Sequence, residues 1–276
     1  MSERFSLLMS VYGGDDPDFL EAAYRSVVHQ QTRPPDDVVL VQDGPVPDEL
    51  AATIAALVTG SPVPALLLPL NENVGLGPAL DQGMAACSSD IVARMDADDI
   101  AVPHRFEVQV PVVEDGADLV GSSLLEFGTS ATDIVGRRVP PLDPDAIIAY
   151  SRFHQPFNHP TIVYRRSMVQ AVGGYSSLPL MEDYLLFAKM IQHGARVANI
   201  EEPLVLYRVG AGAYARRGGV SLLKSEWSLQ RRLRALGFIS RAEFVRNVGL
   251  RGSYRLVPEG LRRAAYRRWI ARRGER

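Results

Sequence analysis

Residues 91–99 of the chain, Ile-Val-Ala-Arg-Met-Asp-Ala-Asp-Asp, join a short apolar run to three carboxylates. The first five residues have the length and the apolar content of a buried strand. The carboxylates that follow repel one another unless a cation or hydrogen bonds compensate their charge. An Asp-x-Asp pair can bind a hard divalent cation, which in turn holds phosphate oxygens. The alternative is a solvated acidic turn, because aspartate is common in turns.

Three further apolar runs precede this stretch, and segments with helical character separate them. Each run is nearly continuous, which is typical of strands that are buried on both faces. The alternation predicts an α/β fold with a mostly parallel sheet flanked by helices. Ligands of such folds bind at the carboxyl ends of the strands, so the polar residues there are the first candidates. The sequence predicts strands over 5–12, 38–41, 65–70 and 91–95, and helices over 17–31 (capped by Asp15 or Asp16), 48–58 and 75–86.

Beyond residue 115 the pattern is less regular. Residues 210–219 are rich in Gly, Ala and Arg without periodicity, which predicts a linker, and the chain after Val220 has helical character. We therefore expect a domain over 1–210, with halves 1–115 and 116–210, and an extension over 211–276. In the second half the sequence predicts strands over 118–127, 161–164, 197–200 and 204–209, and helices over 166–172 and 181–193.

The composition is that of a globular protein with a substantial core. The chain has 276 residues, of which 46% are hydrophobic and 22% charged. Its one cysteine, Cys87, excludes an intramolecular disulfide and predicts a reducing, cytoplasmic compartment. The sequence contains no signal-peptide pattern and no run of about 18 apolar residues, so we expect no membrane span.

The net charge of −2 hides an asymmetry between two parts of the chain. Residues 216–276 contain 17 basic and 4 acidic residues, whereas residues 1–215 contain 13 basic and 28 acidic residues. A basic tail of this kind predicts an anionic partner. On a helix over 258–273, Leu261, Ala265 and Trp269 fall near one face and arginines cover much of the rest, which suits an anionic membrane surface. The alternative is a helix that packs its apolar face against the rest of the protein.

Two other candidate sites follow the predicted strands. Asp43, at the end of the second strand, can accept hydrogen bonds from a ribose hydroxyl or a base edge, although an Asp-Gly turn also explains it. The loop Asn71–Gly77 opens a helix and favours a phosphate at the helix N-terminus. It is not a P-loop, because no Gly-Lys-Ser/Thr follows, and it lacks the third glycine of a dinucleotide fingerprint.

Together, the motifs resemble a family 2 glycosyltransferase of the GT-A fold, a Rossmann-like nucleotide-binding fold, of the kind that builds bacterial polysaccharides and cell-wall glycans. The resemblance covers about residues 5–210 and lies in the order and spacing of the motifs. It implies a nucleotide-sugar-binding half over 1–115, an acceptor-binding half over 116–210 and a basic helical C-terminal extension. The motifs are Ser10-Val-Tyr12, Gln42-Asp-Gly44, Asn71–Gly83, Ala93–Asp99, Pro103–Gln109, Asn158-His-Pro-Thr161, Gly173-Gly-Tyr175 and Glu182-Asp-Tyr184.

The resemblance implies a donor site at the strand ends. Ser10, Tyr12 and Asp43 would hold the nucleoside. Asp98 would ligate a Mg²⁺ or Mn²⁺ ion on the diphosphate, where the metal acts as a Lewis acid. Asp96 would contact either the ribose of the donor or the same metal ion. The remaining donor contacts would come from Asn73, Gly75, Arg94, Arg105 and Arg208.

Other roles remain open for two of these arginines. Arg94 and Arg105 could pair with the acidic residues of the loop instead of contacting the donor. The chain lacks the Gln-x-x-Arg-Trp motif and the membrane helices of processive polysaccharide synthases, which implies the addition of one sugar per encounter. Arg208, Arg216 or Arg217 could take the place of the missing group on the diphosphate.

The resemblance also implies an acceptor site. Asp183 would be the general base and Glu182 a supporting residue or an alternative base that also contacts the acceptor. His159 would be a further acceptor-binding residue. Alternatively, Asp183 is an acid that stabilises a helix N-terminus, and His159 is a structural hydrogen-bonding group.

We therefore expect a metal-dependent inverting glycosyltransferase that acts in the cytoplasm or at the inner face of the plasma membrane. Its partners would be a nucleotide-diphosphate sugar, with a UDP-sugar as the first expectation, and a glycan or lipid-linked acceptor. A nucleotidylyltransferase would carry a basic glycine-rich signature where this chain has Gly13-Gly-Asp-Asp16. From another class, the basic tail could make the chain a nucleic-acid- or anionic-surface-binding module, but it contains no nucleic-acid-binding motif, so we expect no nucleic-acid partner.

Overall fold

The structure is a computed structural model that describes residues 2–209 and 220–256. The chain divides into two compact units, one ending at Arg208 and the other beginning at Val209. The predicted linker over 210–219, with Arg216 and Arg217, lies outside the described residues, as does the predicted basic helix over 258–273. The basic C-terminal extension and the domain boundaries therefore stay predictions.

Strands and helices alternate through the first unit as the sequence predicts. The strands are β1 (Phe5–Tyr12), β2 (Asp37–Asp43), β3 (Ala65–Pro69), β4 (Ile91–Met95), β5 (Ile100–Ala101), β6 (Leu119–Phe127), β7 (Ile134–Arg138), β8 (Val163–Arg165) and β9 (Val197–Arg208). The helices are α1 (Pro17–Val28), α2 (Asp48–Thr59), α3 (Leu76–Ala86), α4 (Arg105–Glu114), α5 (Pro144–Ser151), α6 (Arg166–Ala171) and α7 (Glu182–Gln192), with a 3₁₀ turn at His159–Thr161.

One sheet runs through the unit in the order β3-β2-β1-β4-β8-β6-β9-β5, and β7 pairs with β6. Strands β3, β2, β1 and β4 are mutually parallel, as their continuous apolar runs predict. Strand β8 is antiparallel to both β4 and β6, whereas β9 is parallel to β6. The α/β prediction is therefore confirmed, with a parallel first half and a mixed second half of the sheet.

The core lies on both sides of β1, β2 and β4, whose residues are almost all buried. On one face, Leu7, Met9 and Val11 of β1 pack in the same cluster as Leu20 and Tyr24 of α1. Burial of each large apolar side chain stabilises the fold by about 1.5–3 kcal/mol. This packing holds the carboxyl ends of the central strands at one edge of the sheet.

Helix α1 shows which of its two predicted caps operates. The side chain of Asp16 accepts hydrogen bonds from the backbone N–H groups of Asp18 and Phe19, so Asp16 is the N-cap. The helix ends at Val28, three residues before the predicted end. The side chain of Asp15 does not cap this helix and can make other contacts.

The second half of the unit differs from the sequence prediction in several elements. Residues 197–208 form one strand rather than two, because the register with β6 shifts near Ser122 and Ser123 and so accommodates an irregular segment. The strand predicted over 161–164 begins only at Val163, after the 3₁₀ turn. The elements β5, β7, α4 and α5 have no counterpart among the predicted strands and helices. The sequence of α4 alternates apolar and polar residues at Phe106, Val108 and Val110, which is a strand pattern, so it does not indicate a helix.

The second unit contains α8 (Val220–Ala235) and α9 (Arg241–Leu256), which contact each other. The rings of Trp227 and Phe244 meet edge to face with centroids 5.6 Å apart. Arg251 donates hydrogen bonds to both carboxylate oxygens of Glu226, at 2.7 and 2.9 Å. In the parts of the chain that the structure describes, no helix has the length and hydropathy needed to cross a membrane.

Candidate active site

The carboxyl ends of β1, β2 and β4 lie side by side. The strand register pairs Tyr12 with Asp43 and Met9 with Met95. Ser10, Tyr12 and Asp43 therefore meet at the same edge as Asp96–Asp99, which we call the acidic loop. Ser10 is half-buried and Tyr12 is exposed, so this edge is open to solvent. A parallel sheet predicts a ligand site at this place.

Arg94 lies beneath the acidic loop and is buried, with 1% of its surface exposed. Its Nη1 donates a hydrogen bond to Asp96 Oδ2 at 2.7 Å, and its Nη2 donates to Asp96 Oδ1. Burial opposes the charged form of Arg94, but the Asp96 carboxylate outweighs it and the pKa is raised. Arg94 is predicted either to contact the donor or to pair with the acidic loop, and the structure shows the pairing with the loop.

Arg105 does not fit the donor contact predicted for it. Its side chain is fully buried: Nε donates to Gln109 Oε1 at 2.9 Å, and Nη2 donates to the carbonyl of Arg94 at 2.8 Å. Burial, and then the charge of Arg94, lowers the pKa of Arg105 to about 9. Arg105 therefore supports the backbone of β4 from inside and cannot reach a ligand at the surface.

Asp99 is a residue of the acidic loop to which the sequence analysis gave no role. It is fully buried, its Oδ1 accepts a hydrogen bond from the backbone N–H of Arg208 at 2.8 Å, and its Oδ2 has no partner among the described residues. Burial raises the pKa of Asp99 well above its ordinary value, and the charges of Asp96 and Asp98 raise it further. Burial beside two other carboxylates therefore penalises the ionised form of Asp99.

Arg208, at the end of β9, closes the acidic loop from the opposite side. Its Nε donates to the carbonyl of Asp98 at 2.9 Å. Its guanidinium lies 3.7 Å from the ring centroid of Phe19 and 4.6 Å from that of Phe127. The structure thus brings Arg208 to the predicted metal ligands, where it supports the loop, and the diphosphate contact stays a prediction.

Asp43 joins the end of β2 to the loop that opens α3. Its Oδ1 accepts from the backbone N–H of Val74 at 2.7 Å, and its Oδ2 accepts from that of Gly75 at 3.0 Å. The Nδ2 of Asn73 donates to the backbone carbonyl of Asp43 at 3.3 Å. Gly44 has a φ of +84°, and a Cβ atom there would lie 2.5 Å from the backbone nitrogen of Asn73. Asp43, Asn73 and Gly75 therefore form one structural group, and their contacts with a donor stay a prediction.

Asp15 is a candidate that sequence reasoning treated only as a helix cap. Its Oδ2 accepts a hydrogen bond from the backbone N–H of Tyr12 at 3.0 Å. Burial raises the pKa of Asp15 to about 6, and the nearby charges of Asp98 and Asp96 contribute to the increase. Only the pairing of β1 with β4 brings Asp15 to the acidic loop, so no local pattern could have found it.

Glu182 opens α7 at a place where this helix touches α3. A Cβ atom on Gly77 would lie only 3.0 Å from the Cβ of Glu182. The Glu182 side chain is 8% exposed, and its Oε2 has no hydrogen-bond partner among the described residues. Burial, and then the charge of Asp183, raises the pKa of Glu182 to about 7.

Asp183 is held by two hydrogen bonds. Gln155 Nε2 donates to its Oδ2, and the backbone N–H of Tyr184 donates to its Oδ1 at 2.6 Å. Burial raises the pKa of Asp183, and these hydrogen bonds limit the increase. The charge of Arg94 lowers the pKa of both Asp183 and Glu182. Gln155 is a site residue that the sequence analysis missed, because nothing in the local sequence links it to Asp183.

His159 lies beside Asp183 in the 3₁₀ turn. Its Nδ1 is 3.7 Å from Asp183 Oδ2, and its Nε2 is 3.1 Å from the hydroxyl oxygen of Tyr175. Burial, and then the charge of Arg94, lowers the pKa of His159 well below its ordinary value, so the ring is neutral. The structure therefore brings His159 to the predicted base, whereas its contact with an acceptor stays a prediction.

The predicted metal ligands Asp96 and Asp98 both lie on the acidic loop and are half-buried. Within residues 2–209 and 220–256, no three or more His, Cys, Asp or Glu side chains are grouped so that they could hold a metal ion. Any cation at the loop would therefore need ligands from water or from the substrate in addition to these two carboxylates.

Comparison with known proteins identifies the family. Residues 6–173, more than half of the chain, match glycosyl transferase family 2. The chain therefore belongs to this family and is a glycosyltransferase, as the motifs predict. The nucleic-acid- or surface-binding module is not favoured.

Two relatives and one solved structure show how far the likeness extends. The amylovoran biosynthesis glycosyltransferase AmsE of Erwinia amylovora is 38% identical over 240 residues, which cover 85% of this chain and 88% of AmsE. The UDP-Gal:alpha-D-GlcNAc-diphosphoundecaprenol beta-1,3-galactosyltransferase of Escherichia coli is 33% identical over 272 residues, or 98% and 97% of the two chains. The mannosyltransferase PcManGT of Pyrobaculum calidifontis, solved with GDP-Man and Mn²⁺, has a TM-score of 0.61 at 17% identity and covers 94% of this chain and 71% of its own. This structural likeness confirms the GT-A fold.

Proposed function

We propose that the protein transfers a sugar, with inversion, from a UDP-sugar to a hydroxyl of a lipid-linked diphosphate glycan. The proposal is supported by the E. coli relative, whose name specifies a UDP-galactose donor and a diphosphoundecaprenol-linked acceptor, and which matches nearly the whole chain. The AmsE relative supports a place in bacterial polysaccharide synthesis. Such a reaction takes place at the inner face of the cytoplasmic membrane, where nucleotide sugars are available.

One observation carries the proposal: the buried guanidinium of Arg94 serves both sides of the site. It pairs with Asp96 at the strand ends, where ligands of parallel sheets bind. Its charge also lowers the pKa of Glu182 and Asp183, the candidate bases at the start of α7. A donor at the strand ends and an acceptor at α7 would therefore meet above one fixed positive charge.

Asp183 is the proposed general base. Inversion requires a group that takes the proton of the acceptor hydroxyl on the face opposite the leaving group. The side chain of Asp183 is 14% exposed, and Gln155 and the backbone of Tyr184 fix both of its oxygens. Burial raises its pKa and so makes it a stronger base than an exposed aspartate. Glu182 beside it supports the acceptor or acts as an alternative base.

The residues at the acidic loop fit a Mg²⁺ or Mn²⁺ ion. Both ions prefer oxygen ligands, and Mg²⁺ usually combines one or two protein carboxylates with water and substrate phosphates. Asp98, with Asp96, would supply those carboxylates, because both side chains are half-buried on the loop at the strand ends. When bound, the cation would stabilise the negative charge of the departing nucleoside diphosphate.

The test is a transfer assay with the full chain. UDP-galactose, UDP-glucose, UDP-N-acetylglucosamine and GDP-mannose would be offered with a synthetic GlcNAc-diphospholipid and Mn²⁺ or Mg²⁺, and the anomeric configuration of the product read by NMR. We expect a β-linked product from one of the UDP-sugars. A product with the α configuration would contradict inversion, and transfer from GDP-mannose alone would contradict the donor assignment.

The Asp183→Asn variant tests the base. The change is nearly isosteric, so donor affinity should persist while kcat falls by about 10²–10⁴-fold, the usual contribution of general acid–base catalysis. Asp145→Asn, which changes an exposed first-turn aspartate of α5, is the matched control and should keep normal turnover. A kcat for Asp183→Asn within about threefold of the parent would move the base to Glu182 or elsewhere.

The basic C-terminal sequence is the proposed membrane contact. Residues 258–273 combine six arginines with Leu261, Trp269 and Ile270, and each basic residue near anionic headgroups adds about 1 kcal/mol. A variant that ends at residue 257 should keep transfer to a short soluble acceptor but lose sedimentation with phosphatidylglycerol vesicles. If full-length protein fails to sediment with such vesicles at low salt, the proposal that the C-terminal sequence binds the membrane is wrong.

A further inference from the structure

We propose that Tyr175 is a positioning residue, whose hydroxyl holds His159 in the tautomer that presents an N–H group to Asp183. The inference rests on the proposed role of Asp183 as the general base. Tyr175 belongs to the motif Gly173-Gly-Tyr175, and the sequence predicts no role for its side chain. In the structure it is joined to the candidate base through a single imidazole ring.

The backbone around Tyr175 is fixed from two helices. Its N–H donates a hydrogen bond to Asp81 Oδ1 of α3 at 3.0 Å, and Lys189 Nζ of α7 donates to the Gly174 carbonyl at 3.3 Å. Gly174 has a φ of +63°, and a Cβ atom on it would lie 2.0 Å from Asp81 Oδ1. The turn can therefore approach Asp81 only with glycine at this position, which sets the direction of the Tyr175 side chain.

The hydroxyl of Tyr175 lies between two buried polar groups. It is 3.1 Å from His159 Nε2 and 3.4 Å from the hydroxyl of Tyr164. Tyr175 is 5% exposed and Tyr164 is fully buried, so water does not compete for these contacts. A buried hydroxyl in this position must use its proton on one of its protein neighbours.

The hydrogen-bonding capacity of the groups determines the direction of the network. A neutral imidazole has one N–H donor and one bare nitrogen. If Tyr175 donates to Nε2, the proton of His159 is on Nδ1, which faces Asp183 Oδ2 at 3.7 Å. Tyr164 can then donate to the Tyr175 oxygen, so that the Tyr175 hydroxyl both donates and accepts. The other tautomer would direct the Nδ1 lone pair at the carboxylate, which is repulsive.

This arrangement favours the ionised form of Asp183, in which it can accept a proton. The N–H of His159 adds a favourable dipole to the hydrogen bonds from Gln155 and Tyr184. The charged and titratable groups that face Asp183 are Glu182 on the same helix, Arg94 on β4, His159, and Tyr175. Of these, Tyr175 is the group whose hydroxyl lies within hydrogen-bonding distance of His159 Nε2, so it can hold the proton of His159 on Nδ1.

The Tyr175→Phe variant of the full chain tests the inference. It keeps the ring and removes the hydroxyl, so His159 can take the other tautomer. We expect kcat to fall by about two- to tenfold, the effect of one lost hydrogen bond. The acidic limb of the kcat–pH profile should move up by roughly half to one pH unit, because the ionised form of Asp183 loses a donor. The KM for the donor should stay unchanged.

A double-mutant cycle separates positioning from a general structural effect. In a His159→Phe background, adding Tyr175→Phe should cause no further shift of the acidic limb, because the hydroxyl acts only through the imidazole. Tyr24→Phe is the matched control, because it also removes a buried hydroxyl but at a residue of α1. It should not shift the acidic limb of the kcat–pH profile.

Two results would overturn the inference: an acidic limb that Tyr175→Phe does not move, or the same Tyr175→Phe shift with and without His159. These failures differ from failure of the proposed function. If Asp183→Asn keeps normal turnover, the base itself is wrong. If Asp183→Asn is inactive while Tyr175→Phe has a normal pH profile, only the positioning role is wrong.

Discussion

Replacement of Glu182 by Gln should stabilise the folded protein at alkaline pH. Glu182 has an ordinary pKa of 4.5, which burial and the charge of Asp183 raise to about 7 in the folded state. Between these two values the folded state binds more protons than the unfolded state, so stability falls as the pH rises through this window. Below pH 4.5 both states are protonated and the penalty is absent.

The magnitude follows from the two pKa values. At pH 8 the penalty of the ionised Glu182 corresponds to about 3 kcal/mol. Gln removes the charge but still buries a polar amide without a complete set of partners, so we expect a net gain of about 2 kcal/mol. For a folding unit of this size, that gain raises Tm by about 4–8 °C.

The measurement is calorimetric unfolding of the parent and of Glu182→Gln at pH 5 and pH 8, without donor. Glu49→Gln is the matched control, because Glu49 also lies in the first turn of a helix but is exposed. We expect the Tm of Glu182→Gln to exceed that of the parent at pH 8, and most of this difference to disappear at pH 5. An equal Tm difference at both pH values would refute the reasoning, because a pH-independent gain cannot come from the ionisation of Glu182.

Two other substitutions test the donor side of the site. Asp98→Asn should abolish transfer and the Mn²⁺-dependent part of donor binding. Its Tm should stay within about 2 °C of the parent, because Asp98 is a half-buried residue on a loop. If the variant keeps wild-type turnover in excess EDTA, the metal role of Asp98 is wrong. Asp43→Asn replaces one acceptor oxygen by an N–H₂ group that faces the backbone N–H of Val74 or Gly75, which costs about 1–3 kcal/mol. It should therefore raise the KM for the donor and lower Tm, and a normal value for both would show that the Asp43 contacts do not order the loop.

The strands that end at the site could be predicted closely because their boundaries are marked in the sequence. β1 and β4 have the predicted bounds, since Gly13 and Asp96 interrupt their apolar runs. α4 could not be predicted, because burial against the sheet, and not a helical pattern, determines its conformation.

Some site residues could likewise be located from the sequence, whereas others could not. Asp43, Asp96 and Asp98 follow strands, so their position in the fold could be derived from the order of elements. The contact between Gln155 and Asp183, in contrast, joins residues 28 positions apart across an irregular segment. The burial of Arg105 depends on how α4 packs under β4, and a charged residue in a motif gives no signal of that. Long-range packing decided the roles that sequence reasoning missed or misassigned.

The contact of Asp99 with Arg208 has a consequence for synthesis of the protein. These two residues are 109 positions apart, and among the described strands β5, directly after the loop, pairs with β9 alone. During translation the parallel strands β1–β4 can pair long before β9 leaves the ribosome. A nascent chain that stops before Arg208 would therefore have the parallel half of the sheet assembled while the acidic loop still lacks its hydrogen bond from Arg208. Closure of that loop would mark the moment when the first unit is complete.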